Sequence, residues 1–125
     1  MRRNREQGGF TLIEVLVSLV LAAIAMIGVI ALYRTQTSAS SFSRRMTEAT
    51  MMAEDQLERI RTQVATGSGS TSSLDETGKV VTGGIFTRSF DVQSGGLNYD
   101  EIKVVVSWIE DGGSKAVTLF GRRNK

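Results

Sequence analysis

From residue 15 to residue 32 only Ser18 and Gly28 interrupt a run of apolar side chains. With Phe10, Thr11, Leu12 and Ile13 ahead of it, the stretch is about 23 residues, long enough to cross a bilayer as one helix. Proline is absent from the sequence, so nothing forces a kink. Arg2, Arg3 and Arg5 precede the run and place the N-terminus in the cytoplasm by the positive-inside rule. Arg34 follows it, but a domain on the far side translocates regardless of one such charge. A cleaved secretory signal has a shorter apolar core and small residues at its far end. Here the core is too long and no A-x-A-like site follows Leu32.

Glu14 is the anomaly in this stretch. A carboxylate in an apolar span costs about 2.5–3.5 kcal/mol at the bilayer centre on insertion scales, less near an end. The alternatives are a tolerated interfacial acid and a carboxylate awaiting a cation. A cut after Gly9 would supply that cation, because Phe10 would then carry a new α-ammonium about 6 Å along the helix axis from Glu14. Between subunits of one assembly, each Glu14 would neutralise a neighbour's amine and so set their register. The leader, residues 1–9, carries three arginines against Glu6, a balance of +2. That equals the formal charge of the whole chain, so residues 10–125 are formally neutral and no basic nucleic-acid surface is indicated.

Gly9-Phe10-Thr11-Leu12-Ile13-Glu14, behind a basic leader and ahead of an apolar run, resembles the processing signal of type IV pilins and the related type II secretion pseudopilins. The likeness covers the leader and span, about a quarter of the chain. It implies that a membrane prepilin peptidase cuts between Gly9 and Phe10 and methylates the Phe10 amine. It also implies that Glu14 is the assembly glutamate and that Arg2, Arg3 and Arg5 are the leader charges. The partners implied are the prepilin peptidase, other major and minor pilins through the N-terminal helix, the inner-membrane assembly platform and membrane lipid. No cofactor is implied.

Past Leu32 helical spacing continues. Phe42, Met46, Ala49, Ala53, Leu57, Ile60 and Val64 recur every three or four residues, the stripe of an amphipathic helix. Arg44 and Glu48, Asp55 and Arg59, and Glu58 and Arg61 are spaced to pair on it. Ser38-Ala39-Ser40-Ser41 is poor in helix propensity, and the expectation is a solvated stretch of helix. Of Met46, Met51 and Met52, core filling is expected. Residues 67–84, rich in Gly, Ser and Thr, read as loop with at most a short strand at 79–82. Residues 85–92, 102–109 and 115–120 read as strands, the last two joined by a hairpin through Glu110-Asp111-Gly112-Gly113-Ser114.

The expected fold class is α+β. A long N-terminal helix packs on an antiparallel sheet of three or four strands. The expected organisation is a cytoplasmic leader at 1–9, a transmembrane and assembly half-helix at 10–33 and a periplasmic head at 34–125. Within the head, the amphipathic helix is expected at 34–66, a loop at 67–84 and the sheet at 85–120. Trp108 is expected as a core anchor whose indole N–H needs a partner. The acidic pairs Asp75-Glu76, Asp100-Glu101 and Glu110-Asp111 read as solvated turns without the spacing of a calcium loop. The basic tail from Gly121 to Lys125 reads as a solvated terminus. Histidine and cysteine are both absent, which removes the commonest general base, thiolate ligands and disulfides. With no acid pair placed in a cleft either, no enzyme is expected.

Major pilins of the resembled family usually have a longer C-terminal domain closed by a cysteine pair, and many have proline in the apolar helix. Residues 53–61, Ala-Glu-Asp-Gln-Leu-Glu-Arg-Ile-Arg, are similar to the helix end of V-type minor pilins and of I-type minor pseudopilins. The Val-Val-Val-Ser-Trp strand at 104–108 fits the same group. The expectation is therefore a minor pilin that joins a tip complex and primes fibre assembly. It is held in the inner membrane before assembly and at the cell surface afterwards. A minor pseudopilin of type II secretion, an uncleaved, membrane-anchored binding module and a DNA-uptake pilin using the basic tail at 122–125 are the alternatives.

Overall fold

The computed structural model describes residues 9–63 and 66–125. Their elements are one helix, α1 (Leu12–Thr62), and four strands, β1 (Gly67–Leu74), β2 (Phe86–Ser94), β3 (Tyr99–Glu110) and β4 (Gly113–Asn124). This is the expected α+β fold, with four strands. The chain divides into two compact units whose boundary falls between Ala39 and Ser40. α1 is helical through residues 38–41, as expected.

In the first unit every described residue is exposed. The apolar side chains from Leu12 to Leu32 therefore have no covering within the chain. Hydroxyls in this helix are satisfied internally: Ser18 donates to the Glu14 carbonyl at 2.7 Å and Thr35 to that of Ala31 at 3.2 Å. Such back-bonding lets a polar side chain sit in a helix without water.

The second unit is the head. Its strands run in the order β1-β2-β3-β4, all antiparallel. β3 is central to the core: Ile102, Val104, Val106 and Trp108 point alternately inward and are almost fully buried. Phe86 and Val92 of β2, Leu74 of β1 and Ala49, Met52, Ala53 and Ile60 of α1 close over them. Ala49 and Ala53 are small enough for helix and sheet to approach closely. The buried seam consequently differs from the expected stripe. Met52 replaces Met46, which is 46% exposed, while Phe42 is 38% exposed and meets the core through its ring contact with Trp108. Met51 is exposed as well, so of the three methionines Met52 alone fills the core. Val64 lies outside the described residues.

Three other expectations are corrected. Residues 67–84 are not all loop, because β1 pairs with β2 from Gly67↔Val92 to Leu74↔Phe86. Residues 79–82 add no strand beyond an isolated bridge between Val80 and Leu74. β1 carries no apolar alternation because it is an edge strand whose side chains, Leu74 apart, stay out of the core. Glycine serves it at one position: a Cβ on Gly69 would lie 2.6 Å from the Phe90 ring. The basic tail is not a loose terminus either, since β4 extends to Asn124.

Finally, two of the acids read as turn residues are buried on β3: Asp100 is 4% exposed and Glu110 6%. Both tie the sheet to α1. Glu110 accepts from Ser41 at 3.0 Å and from the Trp108 indole N–H at 3.1 Å, and pairs with Arg45 at 3.2 Å. Asp100 accepts from Arg123 at 2.7 Å, and the same guanidinium donates to the carbonyls of Ile60 and Gln63. Arg123 thereby caps the C-terminal end of the helix from the last strand. The indole partner that Trp108 required is Glu110, and the anchor role expected of Trp108 is observed. The helix-surface pairs also form, Arg44–Glu48 and Asp55–Arg59 at 2.8 Å and Glu58–Arg61 at 3.8 Å.

Candidate functional site

The candidate site is linear, at the start of α1. Gly9 and Phe10 precede the helix, and Thr11 caps it. The Glu14 N–H donates to the Thr11 carbonyl at 3.0 Å and lies 3.4 Å from the Thr11 hydroxyl, while the Val15 N–H reaches the Thr11 carbonyl at 3.2 Å. A threonine three residues before a glutamate, at the head of an apolar run, has the spacing of a capping box, and the Thr11 half of it is formed. Thr11 is the residue the sequence reading missed, and that spacing was the available signal. The cap starts the helix at Leu12 rather than at Phe10 and leaves the Gly9–Phe10 peptide outside it.

Glu14 therefore sits in the first turn, where a carboxylate complements the helix dipole. It is exposed beside Phe10 at 82%, Ile13 at 65% and Val17 at 50% exposure. Among the described residues no cation pairs with its carboxylate. A single acid thus stands on an otherwise apolar surface, open to a partner. Arg2, Arg3 and Arg5 lie outside the described residues.

α1 is long and apolar enough to cross a membrane, consistent with a single-pass anchor. The helix opens on a Thr11-capped Thr-Leu-Ile-Glu segment with Phe10 just ahead of it. Residues 4–30 match the family described as the prokaryotic N-terminal methylation motif. The match supports the type IV pilin and pseudopilin family for this chain, and with it a pilin-like or pseudopilin substrate of prepilin peptidase. Comparison with curated proteins and with solved structures gives no match.

Proposed function

We propose that this protein is a minor pilin of a type IV pilus. It is inserted with its N-terminus in the cytoplasm, cut by prepilin peptidase between Gly9 and Phe10 and methylated on the Phe10 amine. It then joins a tip complex that primes fibre assembly. The observation that carries this reading is the methylation motif at 4–30 heading a helix whose apolar side chains are bare through Leu32. Lipid covers such a surface in the precursor, and the helices of other subunits cover it after assembly. The Gly9–Phe10 bond outside the helix supports the cut, because a protease binds extended backbone. Glu14 is the one acid on that surface, and a neighbouring subunit's Phe10 amine neutralises it in low dielectric.

The minor role is supported by the proline-free apolar helix and by residues 53–61. The same residues equally favour a minor pseudopilin of a type II secretion system, a different machine that uses the same helix chemistry. Products of neighbouring genes separate the two, retraction ATPase and adhesin against secretion components.

Intact-mass and N-terminal analysis of the protein from host membranes is the decisive test. A chain starting at N-methylated Phe10 is expected. A bulky substitution such as Gly9→Leu should leave the leader attached. A wild-type chain that keeps its leader in cells with an active prepilin peptidase, or normal cleavage of Gly9→Leu, overturns the reading in favour of an uncleaved anchor.

A further inference from the structure

The sheet has two edges, and they are protected differently. The outer side of β1 is partly occupied: Val80 bridges to Leu74, and the Val81 N–H donates to the Ser73 carbonyl at 2.9 Å. β4 pairs with β3 in unbroken register over all 12 of its residues, and no strand lies on its other side among the described residues.

The turn before β4 determines which of its groups face outward. Asp111 and Gly112 both have positive φ, 50° and 74°, and form a two-residue turn. Its flanking residues, Glu110 and Gly113, are then a hydrogen-bonded pair, and bonded and non-bonded pairs alternate from there. The N–H and C=O groups of Ser114, Ala116, Thr118, Phe120 and Arg122 consequently point away from β3. Their side chains lie on the sheet face opposite the helix, where Phe120 is 74% exposed.

Proteins guard such edges with proline, bulges, covering loops or charge. β4 has neither proline nor bulge, but it carries Lys115, Arg122 and Arg123 and no acid. Arg123 is committed to Asp100 and the helix end. Arg122 is held less firmly: it lies over the Tyr99 ring at 4.9 Å, and its contact with Glu101 is long, 3.4 Å, and exposed, so that pair holds weakly. Edge-to-edge pairing of two copies would set cations of one β4 beside those of the other, which opposes self-association. A strand bearing carboxylates meets complementary charge and a full row of unpaired backbone groups. Beside Phe120 a groove of about 620 Å³, lined by Arg61, Lys103 and Arg122 against Asp91 and Glu101, has a cationic balance and room for its side chains.

We propose that the β4 edge is a docking site for an extended, acidic strand of a partner protein, with Phe120 as the apolar anchor. The proposal stands apart from the cleavage and assembly reading above, since neither Gly9, Phe10 and Glu14 nor the apolar span of α1 enters it.

The test uses the full chain in detergent micelles and two labelled eight-residue probes, one alternating valine and glutamate, the other valine and lysine. The glutamate probe should bind at least about tenfold more tightly and slow amide exchange at Ala116, Thr118 and Phe120. Thr118→Pro, which removes one outward N–H, should weaken that binding by about tenfold. Phe120→Ser should do the same without touching the backbone, which keeps the test open if the proline disturbs folding. Equal binding of the two probes, or wild-type affinity in both variants, overturns the proposal. So does protection that appears on β1 in place of β4, or a dimer of the chain alone that Thr118→Pro abolishes.

Discussion

Asp100 and Arg123 show how much one pair of side chains organises. The carboxylate is 6% exposed and the guanidinium 11%, and Arg123 also donates to the carbonyls of Ile60 and Gln63 at the helix end. The Arg123 hydrogen bond, helped by the charge of Lys125, holds the Asp100 carboxyl below the usual carboxylate range. Asp75 is shifted the same way, first by the Lys79 N–H and then by the Thr77 hydroxyl. A carboxyl with a depressed folded-state pKa stabilises the fold fully above its unfolded value, and that stability is lost as pH falls toward the folded value. Stability should therefore drop on acidification through and below the ordinary carboxylate range. Asp100→Asn should lower the melting temperature at neutral pH and flatten this acid limb. Thermal melts of both proteins from neutral pH down to about 2 check it, and parallel acid limbs would count against the linkage.

At the scale of elements, β2, β3 and β4 were readable because apolar residues recur at alternate positions along them. β1 was not, because a strand of Gly, Ser and Thr on a sheet edge has no apolar alternation to display. Its place depends on backbone contacts, which gives a prediction. A Cβ on Gly84 would lie 2.3 Å from the Ser73 carbonyl carbon, where only backbone could move aside. A Cβ on Gly121 would meet the Leu57 Cδ1 at 2.7 Å, the far end of a side chain that can turn away. Gly84→Ala should destabilise the head by about 1–3 kcal/mol or more, and Gly121→Ala by less. Urea unfolding of the two variants measures the difference, and the reverse order would mean that β1 and the 79–84 segment are held by something other than this close approach.

For the whole molecule, the contrast is between a head with a buried apolar core and a first half of α1, through Ala39, whose described residues bury none of theirs. On the proposed reading this half-helix exchanges one environment for another, lipid for protein, and Glu14 biases the exchange. In lipid the carboxylate is a penalty; against a neighbouring amine it is a match. Glu14→Ala should leave insertion and cleavage near wild type and reduce incorporation into sheared fibres or tip complexes several-fold. Immunoblots of membrane and fibre fractions report both. Unchanged incorporation would remove the pairing role and leave Glu14 as a capping-box residue of the helix start.

The sequence by itself determined the apolar span, the methylation motif, the amphipathic continuation and three alternating strands. Each of these is a local or periodic signal carried by neighbouring residues. Only the tertiary structure decided that residues 67–74 are a strand, that Met52 rather than Met46 enters the core, that Asp100 and Glu110 are buried, and that a partly buried Arg123 ties the last strand to the helix end. Those outcomes rest on contacts between distant positions, such as Arg123 with the Ile60 carbonyl 63 residues away. A charged residue in a polar stretch looks the same in sequence whether it meets water or a helix end, and the fold alone supplies the difference.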